Sequence, residues 1–215
     1  RNVELKKKSD KEIFKRIVST GKHEKFIDLL IRFLTQFKEN QRNLTLSELK
    51  NKASNDKRSL LFLTLFESIL KRYQLSLERN GEIDFGDMID TASDLVRDHR
   101  FKVNWKYVII DEFQDISRGR YNLIKAILDQ SASSKLYCVG DDWQAIYRFA
   151  GSDHQIMNNF RSIFGNATSL KLDKTFRFNN QIAEVSRKFI TKNPSQIKKR
   201  LKALTIKKEP QVILN

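Results

Sequence analysis

One cysteine, two prolines and seven glycines leave this 215-residue chain few sharp punctuation marks. The lone thiol, Cys138, excludes a disulfide within the chain, so a reducing cytoplasm is the expected compartment. It sits in the apolar run Leu136-Tyr137-Cys138-Val139 and is expected to be an inert core thiol. His23, His99 and His154 lie far apart, without the spacing of a metal site. No apolar run approaches the roughly 18 residues of a membrane span, and no signal peptide is evident, so no membrane partner is expected. The glycines also supply no G-x-x-x-x-G-K-[ST] phosphate loop. The nearest approach is Gly21-Lys22, but Arg16 stands five positions before that glycine and His23 follows the lysine.

What is abundant is positive charge. Forty-one Lys and Arg against 26 Asp and Glu leave a net charge of +15, which favours polyanionic partners because each phosphate contact releases a counterion. The distribution is uneven. Residues 1–80 carry 19 basic and 10 acidic side chains, a net of +9, whereas residues 81–115 carry 4 and 9, a net of −5. An acidic island inside a basic chain points to a cation site with nucleic acid close by.

The apolar pattern changes character near Asn80-Gly81. Before it, Phe26, Leu29, Leu30, Phe33, Leu34 and Phe37 recur at helical spacing, and Leu61, Leu65, Phe66, Ile69, Leu70 and Tyr73 repeat the pattern. A basic helical bundle is expected there, with the aromatic stripe in its core and a loop over residues 51–58. After the break come three short apolar runs, 107–110, 136–139 and 169–172, each ending in polar residues. Helical stretches over about 120–129, 155–164 and 180–190 separate or follow them. Strands buried on both faces and alternating with helices predict an α/β fold with a parallel sheet. Ligands of such sheets bind beyond the carboxyl ends of the strands. A further run, Val212-Ile213-Leu214, reads as the start of another element.

Two strand ends carry the chemistry. Asp111-Glu112-Phe113-Gln114-Asp115 follows the first strand directly. One acid there is placed to hold Mg²⁺ and a second to orient a water for attack on a γ-phosphate; the bland alternative is an exposed acidic turn. Gly140-Asp141-Asp142-Trp143-Gln144-Ala145-Ile146-Tyr147-Arg148-Phe149-Ala150-Gly151 ends the second strand. Its glutamine could reach a phosphate site and its aromatics suit stacking on bases, although any one such aromatic is more often a core residue.

Together these segments resemble the motor core of superfamily 1 DNA helicases of the UvrD/Rep family. Asp111–Asp115 is similar to motif II, the Walker B form DExQD, and Gly140–Gly151 to motif III. Leu172-Asp173-Lys174-Thr175-Phe176-Arg177-Phe178 is similar to motif IV, and Asp84-Phe85-Gly86-Asp87-Met88-Ile89 to the DFxDL segment that precedes motif II. The match spans about residues 84–190, and the Asp142-Trp143-Gln144 wording resembles the helicase IV subgroup. The resemblance implies a partial P-loop (RecA-like) parallel sheet with flanking helices and an all-α basic insertion. Residues 1–80 would be that insertion (1B-like), 81–190 the C-terminal part of motor domain 1A, and 191–215 a linker entering the next domain. It implies ATP and Mg²⁺ as cofactors, with Asp111 on the metal and Glu112 as catalytic base. Gln114 and Gln144 would sense the γ-phosphate, Arg177 would stabilise its transition-state charge, and Tyr147 and Phe149 would face single-stranded DNA. Phe149 stands where tryptophan is common in the family, and Ala150 where relatives often have a basic residue.

With no phosphate loop and no motifs V and VI, the chain reads as a middle part of a longer helicase acting on single-stranded DNA and its junctions with duplex. Such a protein would be cytoplasmic and associated with the nucleoid when bound to DNA. Two rivals remain open: a non-catalytic nucleic-acid-binding or partner-docking module, and a metal-dependent nuclease using the acids at 111, 112 and 115.

Overall fold

A computed structural model describes residues 23–40, 45–147, 151–194, 196, 197, 199 and 201–207. Among these the chain is mixed α/β and mostly helical, with two small parallel sheets. It divides into two compact units. Of the described residues, the first holds those up to Asn104, Ser117–Ser133 and Gly151; the second holds Trp105–Ile116, those from Ser134 to Tyr147 and those from Ser152 to Lys207.

The first unit is helical: α1 (His23–Asn40), α2 (Leu46–Lys52), α3 (Lys57–Asn80), α4 (Phe85–Arg97) and α5 (Arg118–Gln130). Its core begins as a lattice of phenylalanines. Phe33 on α1 meets Phe62 and Phe66 on α3 edge-on, at ring-centre distances of 5.1 and 4.6 Å, and Phe37 meets Phe66 at 5.5 Å. Edge-to-face pairs of this kind add about 1 kcal/mol each beyond area burial. The buried line on α3 is Leu63, Phe66 and Leu70, whereas Leu61 and Leu65 of the expected stripe face solvent, as does Leu29 on α1. An almost continuous apolar run such as Leu60–Leu65 fits more than one helical phase, and the aromatic partners on α1 choose among them. The expected 51–58 loop shrinks to a short turn, because Thr45 and Glu48 close a capping box on α2 and Asp56 caps α3. Asn80-Gly81 is the break the sequence predicts: α3 ends there on a left-handed cap with Gly81 at φ 66°.

Asp84-Phe85-Gly86-Asp87 opens α4. Asp84 caps the helix by accepting from the Asp87 N–H at 2.8 Å and also accepts from the Tyr73 hydroxyl at 3.1 Å. Lys38 of α1, only 4% exposed, extends to both acids, pairing closely with Asp87 and lying 3.3 Å from Asp84. Gly86 makes room, since a Cβ there would lie 3.0 Å from the Lys38 Cβ. At the far end of α4, the Gln130 amide donates to the carbonyls of Val96 and Phe101 (2.7 and 2.8 Å) and fastens the chain leaving α4 to the end of α5.

In the second unit β1 (Tyr107–Ile110) and β2 (Lys135–Cys138) run parallel, in register from Tyr107 opposite Lys135 to Ile110 opposite Cys138. Phe113 is 1% exposed and packs on Phe160 and Phe164 at 5.5 and 6.2 Å. The expected helix over 155–164 is two short ones, α6 (His154–Asn158) and α7 (Phe160–Phe164), broken at Asn159. Burial pushes the Cys138 thiol up to about 12, so it is held protonated as an inert group, although it is only half-buried.

Two strand expectations need correction. β1 and β2 are not buried on both faces: Tyr107, Ile109, Tyr137 and Val139 are exposed on one side. Residues 169–172 are not a strand. Leu170 and Leu172 are about as open as side chains become, at 86% and 85%. The strand is β3 (Lys174–Asn179), which runs straight into α8 (Asn180–Ile190) and pairs in parallel with β4 (Lys202–Thr205), forming a second sheet. A strand requires a partner for its backbone groups, and β4 offers one to Thr175, not to Leu170. Val212-Ile213-Leu214 lies outside the described residues. No helix among the described residues is long and apolar enough to cross a membrane.

The Lys38 cluster yields a stability prediction. Lys38→Met leaves Asp84 and Asp87 without their counter-ion, and urea denaturation of this variant is expected to show a loss on the order of 3 kcal/mol. An unchanged urea midpoint would show that water already screens the two acids.

Candidate nucleotide-facing site

The carboxyl end of β1 delivers Asp111 and Glu112 to the surface, and both are exposed. Glu112 adopts a left-handed backbone, φ 50° and ψ 42°, which costs a non-glycine residue about 1 kcal/mol. Strain of this sort persists only where neighbours over-determine it. Here the Glu112 N–H donates to Asp111 Oδ1 (2.9 Å), and the next turn, a 3₁₀ segment over Phe113–Asp115, is anchored by Phe113 N–H to the Val139 carbonyl (2.9 Å).

Gln114 is the hub. Its side chain is fully buried, at 1% exposure. The amide nitrogen donates to Glu112 Oε2 (2.7 Å) and Asp115 Oδ2 (3.3 Å), and the amide oxygen accepts from the Asp141 backbone N–H (2.9 Å). A backbone N–H only donates and a carboxylate only accepts, so the amide has one workable orientation. Asp141 in turn accepts from Gln144 Nε2 at 2.9 Å and from the Trp143 N–H at 3.0 Å, shaping the 3₁₀ turn Asp142–Gln144. A continuous relay therefore runs Glu112–Gln114–Asp141–Gln144, from the end of β1 to the segment after β2. Gly140 is what allows it: a Cβ there would lie 2.8 Å from Gln114 Oε1 and 3.1 Å from two backbone nitrogens.

Asp115 stands behind the relay. Burial raises its carboxyl above the usual range and the nearby Glu112 charge adds to this, while the Gln114 hydrogen bond partly offsets both. Its Oδ1 is buried with no hydrogen-bond partner among the described residues.

The sequence-derived candidates thus fall into three groups. Glu112, Gln114 and Gln144 are joined by the relay, with Asp111 bonded to the Glu112 backbone. Tyr147 is exposed three residues past Gln144, and its carbonyl accepts from the Ser152 N–H at 3.3 Å. Arg177 is exposed on β3, with its N–H on Thr175 Oγ1 (3.3 Å), and no described contact joins it to the relay. Phe149 lies outside the described residues. Sequence reasoning gave Asp141 no part in the nucleotide site and assigned no role to Lys199, which binds Asp141 and Asp142. Asp141 is inside motif III and was open to notice, but Lys199 sits in a basic run whose pattern carries no signal.

The acidic end of β1 is thus wired to the glutamine turn after β2, and comparison with known proteins gives the family. Residues 1–165 match the model of the UvrD/REP helicase N-terminal domain, and the chain belongs to the UvrD/Rep helicase family. It is similar to DNA helicase IV of Escherichia coli (strain K12), 41% identical over 143 residues, which is 66% of this chain and 21% of that protein. It is also similar to the ATP-dependent DNA helicase PcrA of Staphylococcus epidermidis (strain ATCC 35984), 29% identical over 66% of this chain and 19% of the relative. A third is the ATP-dependent DNA helicase Rep of Buchnera aphidicola subsp. Schizaphis graminum, 29% identical over 63% and 21%. The chain spans about a fifth of the length of these relatives.

Gly140→Ala tests the relay. The added methyl must push Gln114 away from the Asp141 N–H, at about 1–3 kcal/mol for a lost buried hydrogen bond. Faster hydrogen exchange at the Asp141 amide is expected with the β1–β2 ladder retained; unchanged exchange there would mean that the relay does not depend on this glycine.

Proposed function

We propose that this chain is the nucleotide-sensing part of an ATP-dependent DNA helicase, which couples ATP hydrolysis to movement on single-stranded DNA and to duplex unwinding. The relay from Glu112 through Gln114 and Asp141 to Gln144 carries the reading. It lies beyond the carboxyl ends of two parallel strands, where sheets of this kind bind ligands. It also links an exposed carboxylate, suited to general-base work, to a glutamine on a separate turn.

In this reading Glu112 takes the proton of the water that attacks the γ-phosphate. Gln114 holds Glu112 on one side and the Asp141 backbone on the other, so a change at the phosphate is passed to Gln144 and on toward Tyr147 and Phe149, where bases stack. Arg177 neutralises charge on the γ-phosphate in the transition state. Asp111 would hold Mg²⁺, which when bound would screen the charge growing on the phosphate oxygens. The donor chemistry fits, since Mg²⁺ keeps most of its waters and takes one or two carboxylates plus substrate oxygens. Residues 1–80 serve as the insertion subdomain, 81–190 as the C-terminal part of motor domain 1A, and 191–215 as the link to a second motor domain. Movement 3′ to 5′ and a role in repair or recombination follow by family analogy.

Without a phosphate loop the chain by itself lacks the backbone donors and lysine that cradle the β- and γ-phosphates. It is expected to show no ATP turnover above background in a phosphate-release assay. Turnover that disappears in Glu112→Gln would overturn this expectation.

DNA binding by the chain alone is the second reading. Its basis is the +9 charge of residues 1–80 and the exposed Lys57, Arg58, Lys71, Arg72 and Arg79 along α3. Anisotropy titrations of labelled single-stranded DNA should weaken by about tenfold or more between about 50 and 200 mM salt, the response of some three phosphate contacts. Absence of binding at the lower salt would refute it.

A further inference from the structure

Motif III carries two adjacent acids, and they need a counter-ion. Asp142 is 3% exposed and Asp141 is half-buried; neighbouring carboxylates removed from water repel and are costly unless paired. The counter-ion comes from far along the chain. Lys199 Nζ lies 3.0 Å from Asp142 Oδ1, makes a closer contact with Asp141 Oδ1, and sits 4.9 Å over the Trp143 ring. Ile197, two residues before it, donates its N–H to Asp142 Oδ2 at 2.7 Å and accepts from Trp143 Nε1 at 3.0 Å. Ile197 and Lys199 thus strap the Asp142–Gln144 turn from a point more than 50 residues downstream.

The two oxygens of Asp141 are divided between tasks. Oδ1 receives Lys199 and the Trp143 N–H, and Oδ2 receives the Gln144 side-chain amide. Gln144 is exposed, and its carboxamide has this one described hydrogen bond to aim it. We propose that Lys199 is a positioning residue for Gln144: by neutralising both acids and fixing one Asp141 oxygen, it turns the other toward the Gln144 amide. Burial alone would raise the Asp141 carboxyl, but hydrogen bonds from Lys199 and Gln144, the lysine's charge and the Trp143 N–H outweigh it and hold the group below the usual carboxylate range. The importance of this positioning for a motor rests on the reading of Gln144 as a phosphate sensor; the positioning itself does not.

The test is nuclear magnetic resonance on the ¹⁵N-labelled chain, with the Gln144 side-chain amide pair assigned through Gln144→Ala. Lys199→Met should move that pair to the position of a free glutamine and speed exchange of the Trp143 backbone amide about tenfold or more. Lys199→Arg should keep both near wild type. Lys202→Met, which removes an exposed lysine 3.8 Å from Asp173, should move neither. A Lys199→Met chain with a lowered Tm but an unmoved Gln144 pair would make Lys199 merely structural and overturn the proposal. If that variant does not fold, the wild-type chain decides: Overhauser contacts between Lys199 side-chain protons and the Trp143 ring are expected, and their absence overturns it. No measurement here uses nucleotide. A failure of the helicase reading would appear instead in phosphate-release assays and leave these spectra unchanged.

Discussion

The carboxamide of Gln114 has to satisfy three partners at once in a place that water does not reach. Two are carboxylates, which only accept, and the third is a backbone N–H, which only donates. A neutral amide is the one side chain of this size that answers both demands without bringing in a charge. Glutamate would put a third carboxylate beside Glu112 and Asp115, and an apolar residue would strand the Asp141 N–H. The left-handed turn at Glu112 and the bare backbone at Gly140 border the place where this amide sits. Within its unit, the site is built outward from it.

Charge is handled in the same way at two places that share no residue. Lys38 gathers Asp84 and Asp87 at the start of α4, and Lys199 gathers Asp141 and Asp142 at the start of motif III. In both, a pair of acids opens a helical turn, one of them caps it, and a lysine from a distant element supplies the counter-charge. The acidic island read from composition over residues 81–115 holds acids in different settings. Asp84 and Asp87 hold helices together and Asp111 and Glu112 are exposed, while outside the island Asp141 and Asp142 hold a turn.

The order and character of the elements were legible before any coordinates. The break at Asn80-Gly81, the strand over 107–110, the helix over 180–190 and the acids at strand ends all rest on local chemistry. Gly81 has to enter a left-handed cap, β-branched residues have to form a short strand, and Asp111–Asp115 has to follow it. Where local chemistry was degenerate, reading the sequence chose wrongly. The Leu60–Leu65 run fits several helical phases, and both Leu170-Lys171-Leu172 and Thr175-Phe176-Arg177-Phe178 fit a strand.

The sequence by itself therefore determined which family the chain belongs to, because motifs are short and their meaning lies in the order of adjacent side chains. Tertiary structure alone decided who partners whom: Phe33 with Phe66, Lys38 with Asp84, β3 with β4, and Lys199 with the motif III acids. Those choices join residues dozens of positions apart, and they turn on packing and on counter-charge. Neither leaves a periodic trace in the chain.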